Sequence, residues 1–258
     1  MKLFSFRFFF LNLISIVLLA NCATSEEDKE LAYNHYRIGV SLLAKNQNEK
    51  ALEQLLLASK LDPSNPLILN HLGLAYYFQR EYELAIITLQ NAISKQANYS
   101  EAHNNIGRIY VDIKDFSQAR KHLMMAAGDL TYPHKDKVWL NIGLSYFYEN
   151  SFENSKKYFL KSISVNRKNC LAYNYYGRSL IELEQFKPAT EAFDKAIFHC
   201  RQRGLDEPHY YSAISLFRIG DKASAIARLQ EGRKLYPKGP NKKKIEEMIN
   251  LMRITETK

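Results

Sequence analysis

Residues 102–127 read AHNNIGRIYVDIKDFSQARKHLMMAA, and this stretch decides the fold. Gly107 is followed by Tyr110, then by Ala119, Leu123 and Ala126, so that small residues stand at fixed offsets between large ones. Small residues at those places let the two helices of a hairpin, and the hairpin behind them, approach closely. Working outward, the same local pattern surrounds Gly39, Gly73, Gly143 and Gly177, as RIGVSL, HLGLAYY, NIGLSYF and YYGRSLI. The five glycines follow one another at 34, 34, 36 and 34 residues, a fixed period of the kind that marks a stacked repeat. Alanines keep the register: Ala51, Ala85, Ala119 and Ala189 lie twelve residues beyond a glycine, and Ala58, Ala92, Ala126 and Ala196 seven further on.

This pattern resembles the tetratricopeptide repeat, a helical hairpin of 34 residues. Tyr76, Tyr110 and Tyr146 stand at position 11 of their repeats, Leu55, Leu89, Leu123, Phe159 and Phe193 at position 24, and Trp139 at position 4. Pro63 and Pro237 fall where the second helix of a repeat stops. A sixth repeat has Ala213 in place of the glycine, but Gly220-Asp221, Ala225, Leu229 and Pro237 restore its register. Extra pairs of residues fall in Asp129–Pro133 (DLTYP) and between Arg201 and Glu207. Beyond Lys238-Gly239-Pro240, Ile245, Met248, Ile249 and Met252 recur at helical spacing and predict a helix that caps the last hairpin. The expected fold is all-α: a right-handed α-solenoid of about six tetratricopeptide repeats over residues 32–237, with a capping helix and tail over 238–258.

Composition fits a folded chain. Of 258 residues, 46% are apolar and 24% charged, which excludes a disordered or collagen-like polymer. The net charge of +9 is too scattered to indicate nucleic-acid binding. At the amino terminus Lys2 and Arg7 precede an apolar run of 13 residues, Phe8 to Ala20. That is the layout of an export signal over residues 1–21, too short for a bilayer-spanning helix, which needs about 20 apolar residues. The run ends in Leu19-Ala20-Asn21-Cys22, which resembles the lipobox of bacterial lipoproteins, with Asn21 where glycine, alanine or serine is usual. Acyl chains on Cys22 would contribute about 0.8 kcal/mol per buried methylene and hold the chain at a membrane. A plain cleaved signal and a retained anchor are the competing readings. Ala23 and Thr24 follow the cysteine instead of an inner-membrane-retaining aspartate, which directs the expectation to the outer membrane. Residues 22–31, including SEEDKE from Ser25 to Glu30, read as a lipidated, solvated tether.

In a solenoid of this kind, positions 2, 5, 9 and 12 of each first helix line the inner wall. Here they give Tyr33, Tyr36, Val40 and Leu43, then Leu67, Asn70, Leu74 and Tyr77, then Glu101, Asn104, Arg108 and Val111. Later repeats continue with Lys137, Leu140, Leu144 and Phe147, then Leu171, Asn174, Arg178 and Ile181, then Glu207, Tyr210, Ile214 and Phe217. Large apolar side chains at positions meant for solvent mark a binding wall, and the expected occupant is a polypeptide segment. Asn70, Asn104 and Asn174 suit an extended backbone, and Arg108 and Arg178 a carboxylate; the same asparagines equally suit bonds to a neighbouring helix. Partner contacts are expected chiefly from Tyr36, Val40, Leu43, Leu67, Asn70, Leu74, Tyr77, Asn104, Arg108 and Val111.

Cys170 opens the first helix of repeat five and Cys200 closes the second, ends that an antiparallel hairpin brings together. They read either as a disulfide or as two buried thiols. His35, His71 and His103 lie close in repeat space without acidic or cysteine companions, so neither a metal nor any other cofactor is expected. No nucleophile elbow, HExxH or phosphate loop is present, and neither an enzyme nor a small-molecule substrate is expected. Lys242–Lys244, with Arg233, Lys234 and Lys238, reads as a solvated helix start or a contact for anionic polymer.

A lipobox followed by six such repeats resembles the type IV pilus pilotin family, the PilF, PilW and Tgl lipoproteins. The likeness is sharpest in the quoted stretch from Ala102 to Ala127 and in the DLTYP turn leading into VWLNIGLSYF. The resemblance implies an outer-membrane lipoprotein that helps a secretin reach its membrane and assemble. A different task for the same architecture is an NlpI-like envelope scaffold that recruits peptidoglycan hydrolases.

Overall fold

The computed structural model describes residues 24–254, which form 13 α-helices and, among the described residues, no strand. Two compact units divide the chain, one ending at Ala97 and the other beginning at Asn98. The first holds two hairpins: α1 (Glu26–Ala44) with α2 (Asn48–Leu61), and α3 (Pro66–Phe78) with α4 (Tyr82–Lys95). The second holds four, α5 (Ser100–Asp112) with α6 (Phe116–Gly128), α7 (Lys135–Tyr148) with α8 (Phe152–Val165), α9 (Cys170–Glu182) with α10 (Phe186–Cys200), and α11 (Glu207–Arg218) with α12 (Lys222–Leu235). Its last helix is α13 (Lys242–Ile254). Each hairpin is one of the six repeats read from the period, and within each unit consecutive hairpins stack in chain order.

The repeat glycines are explained by a single contact. A Cβ on Gly107 would lie within 3 Å of Leu123, one on Gly39 or Gly73 would meet Leu55 or Leu89, and one on Gly143 or Gly177 would meet Phe159 or Phe193. Position 24 therefore packs its large side chain onto the bare backbone of position 8, and Leu55, Leu89, Leu123, Phe159 and Phe193 are all fully buried. Each hairpin then turns on one left-handed residue. Asn46, Arg80, Lys114, Asn150, Glu184 and Gly220 all have positive φ, and the residue after each donates its N–H to a carbonyl in the last turn of the first helix, as Asp115 does to Tyr110 at 2.9 Å. Gly220 alone of the six is a glycine, which is why composition reveals only that turn.

The amino-terminal reading needs a correction. Ser25 to Glu30 is not a tether in conformation: Ser25 caps α1 by accepting the Asp28 N–H at 3.0 Å, and Glu26, Glu27 and Asp28 fill the first turn, where acids oppose the helix dipole favourably. The export signal (residues 1–21) and Cys22 lie outside the described residues.

Both insertions are ordered. In DLTYP, Asp129 accepts the Ser100 hydroxyl at 2.6 Å and the Thr131 N–H at 2.9 Å, and these bonds hold its carboxyl down at about 2. Tyr132 is buried and donates its hydroxyl to Glu101 at 2.7 Å; burial, then that bond, raises the phenol above its ordinary range. At the other insertion a 3₁₀ turn, Arg201–Arg203, ends on Gly204. Immediately before it, Cys200 is bridged to Cys170, with Cα atoms 5.3 Å apart, tying the start of α9 to the end of α10.

The predicted capping helix is present. Ile245, Ile249 and Met252 of α13 are buried against Ala213, Leu216, Ala225 and Leu229. Asp206, wholly buried, fixes the approach by accepting the Asn241 backbone N–H at 2.7 Å and its side-chain amide at 2.9 Å.

Candidate partner-binding surface

In the first unit the first helices of the two repeats, α1 and α3, carry a set of partly exposed aromatic and aliphatic side chains. Tyr33 stacks on Tyr36 with ring centres 5.9 Å apart, and Tyr36 meets the His71 ring edge-on at 5.1 Å. Further along, Tyr77 lies against Phe78 at 5.3 Å and Tyr82 at 6.1 Å. Leu67 is 48% exposed, Tyr33 55% and Phe78 40%, while Tyr36, Val40, Leu43, Leu74 and Tyr77 are half-buried. Tyr36 and Leu43 also pack against the core formed by Leu55, Leu72 and Ala75, so the inner edge of this face is held rigidly by the fold. Burial, and then Tyr33, raise the Tyr36 hydroxyl pKa. Asn70 departs from expectation: it is fully buried and offers nothing to a ligand on this face.

In the second unit the polar seam is spent internally. Asn104 is 4% exposed and accepts the Asn141 amide at 3.0 Å. Asn174 is 1% exposed and donates to Glu207 at 2.8 Å. Arg178 pairs with the same Glu207 at 3.0 Å, and its guanidinium lies between 4.8 and 4.9 Å from the rings of Phe147, Tyr175 and Tyr211. Position 5 therefore sits where the next hairpin crosses, and a buried amide there must find its partner on that hairpin. Val111 is likewise core, 3% exposed among Ala119, Leu123 and Ile142. Of Asn104, Arg108 and Val111, Arg108 is the one at the surface. The expectation of ligand contacts from Asn70, Asn104 and Val111 is thus overturned by burial, and that from Arg178 by Glu207.

Each of the three histidines has a partner of its own. His35 bonds Gln54 at 2.8 Å, and His71 bonds the Leu67 carbonyl at 2.9 Å. His103 instead faces His122 of its own repeat. Among the described residues no three histidine, cysteine or acidic side chains converge as metal ligands, and no helix is long and apolar enough to cross a membrane. Lys242, Lys243 and Lys244 are exposed on the first turn of α13, and the Lys244 ammonium is 6.0 Å from the Tyr210 ring.

Comparison with known proteins agrees with this architecture. Tetratricopeptide-repeat family models match residues 39–80, 100–127 and 136–169. The type IV pilus assembly protein PilF of Pseudomonas aeruginosa is 26% identical over 231 residues, covering 85% of this chain and 90% of that protein. An uncharacterized protein of Haemophilus influenzae is 30% identical over 117 residues, 42% of this chain and 62% of that one. Among solved structures, Pseudomonas aeruginosa PilF superimposes with a TM-score of 0.73 at 21% identity, covering 86% of this chain and 100% of that one. PilW, described as a widely conserved type IV pilus biogenesis factor, gives 0.74 at 16% identity over 83% of this chain and 97% of that one. By its repeats and helices the chain is an all-α tetratricopeptide-repeat protein, and over most of its length it is similar to the type IV pilus assembly protein PilF.

Proposed function

We propose that this chain is a pilotin: an outer-membrane lipoprotein of type IV pilus biogenesis whose first unit holds a segment of the secretin while that ring assembles. The observation that carries this reading is the apolar, aromatic face of α1 and α3, in a chain that matches PilF over most of both lengths. Leu67, Tyr33 and Phe78 are the exposed side chains a partner would cover, with the half-buried Tyr36, Leu74 and Tyr77 beside them on the same two helices. Rigid aromatic side chains on a supported surface are the usual energetic centres of such contacts. The chain carries out no chemistry in this reading. Lipid on Cys22 keeps the face at the membrane, and tethering raises the local concentration of bound secretin subunits so that they meet one another. The Cys170–Cys200 bridge supports export, since such bridges persist in oxidising compartments.

The anchor is tested by Cys22→Ser followed by fractionation. The variant is expected in the soluble periplasmic fraction, with secretin multimers reduced on mildly denaturing gels. Continued membrane association, or unchanged multimers from a soluble variant, contradicts the lipid-borne mechanism.

A further inference from the structure

The third repeat holds a contact that the partner-binding surface does not use. His103 on α5 and His122 on α6 stand at positions 4 and 23 of their repeat, the pair of places where the two helices of a hairpin touch. The corresponding pairs in the other five repeats are His35 with Gln54, Leu69 with Thr88, Trp139 with Tyr158, Tyr173 with Ala192 and His209 with Arg228. In the third repeat two imidazoles meet, Nδ1 to Nδ1, at 3.0 Å. Their ring centres are 5.3 Å apart, both side chains are half-buried, and Tyr110 stacks on the far side of His122 at 5.8 Å.

Two imidazole nitrogens bound to one cation at about 2.0 to 2.1 Å, with angles between square and tetrahedral, are about 2.9 to 3.4 Å apart. The observed separation falls in that range before any cation arrives. We propose that His103 and His122 form a two-imidazole site for a borderline divalent cation such as Cu²⁺, Zn²⁺ or Ni²⁺, clipping α5 to α6 across the third repeat. Water completes the coordination on the exposed side. Imidazole pairs select this class over Mg²⁺ and Ca²⁺, which take oxygen ligands.

Without the cation, one Nδ1–H donates to the other Nδ1. On binding, the donor ring moves that proton to Nε2 and both Nδ1 lone pairs turn to the cation, so no net proton is released. Lys121 is the cation nearest in sequence to the site and the charge that opposes it.

The test uses the full soluble chain without a histidine tag, stripped with chelator and unfolded by heat with CuCl₂, ZnCl₂ or MgCl₂. Saturating Cu²⁺ or Zn²⁺ is expected to raise Tm by about 5 °C, Cu²⁺ acting at lower concentration than Zn²⁺, and Mg²⁺ to do nothing. His122→Gln recreates the His35–Gln54 pairing of the first repeat, so it keeps the fold while removing one ligand. That variant is expected to lose the shift, and its Cu²⁺ electron paramagnetic spectrum to lose the splitting from two imidazole nitrogens. No shift in the parent protein, or an equal shift and unchanged spectrum in His122→Gln, overturns the site.

Discussion

A glycine at position 8 is where one residue decides a hairpin. A Cβ at Gly107 has no room because Leu123 occupies the space it needs, closer than real Cβ atoms approach. Gly107→Ala is expected to destabilise the protein by about 2 kcal/mol, the usual scale for overpacking a closed core, measured as a lower urea midpoint with unchanged slope. Leu123→Ala in the same chain should make the combined loss smaller than the sum of the two single losses, since the smaller side chain leaves room for the added methyl. These glycines were legible in the sequence because their period repeats five times. Asn104 and Asn174 were legible only as one of two readings, because position 5 looks solvent-facing on a single helix and is buried in the second unit by the hairpin that follows. A signal was present in one case: Asn141 of the next repeat supplies the amide that Asn104 accepts. The left-handed turns at Asn46, Arg80, Lys114, Asn150 and Glu184 were hidden for a related reason, since no glycine marks them.

At the scale of elements, the fifth hairpin is held by a covalent link as well as by packing. Removing the Cys170–Cys200 bridge, as Cys170→Ala with Cys200→Ala, is expected to lower stability by about 3.6 kcal/mol on the chain-entropy account for a separation of 30 residues. Reductant should lower the urea midpoint of the parent protein by a similar amount and leave the double variant unmoved. The sixth hairpin carries a buried charge-sensitive group. His209 on α11 is 1% exposed, and neither ring nitrogen has a hydrogen-bond partner. Glu231 and Arg228 of α12 and Asp206 at the head of its own helix are the charged groups that act on it, and Tyr236 lies edge-on. Burial is the largest influence and lowers its pKa, as it does for His103 and His122. The unfolded chain therefore takes up protons first: stability from these groups is complete above about pH 6.5 and declines as pH falls below it. Tm should drop between pH 7 and 5, and His209→Leu should make that slope shallower. An unchanged slope would assign the acid sensitivity to other groups. Helix α13 was readable from the spacing of Ile245, Ile249 and Met252. The start of α1 was not, because Glu26 to Glu30 has the composition of a solvated tether and the Ser25 cap alone distinguishes the two.

For the whole molecule, the six repeats and their register followed from sequence because nearly every hairpin buries the same few side chains between its own two helices. The candidate surface was only half legible. Apolar residues of α1 and α3 stand where the spacing placed them, while the polar seam of the later repeats is consumed by Asn141 and Glu207. A surface is defined by what its neighbours leave uncovered, and single-helix periodicity does not record that. The account accordingly rests recognition on the first unit. Its most direct test is binding of purified secretin to the parent protein and to Leu74→Glu with Tyr77→Glu, alongside thermal unfolding of both. The account predicts that the double variant unfolds cooperatively near the parent's Tm and loses secretin binding by at least a factor of about 100, since two buried charges at such a contact cost several kcal/mol. Undiminished binding by a folded double variant would contradict it.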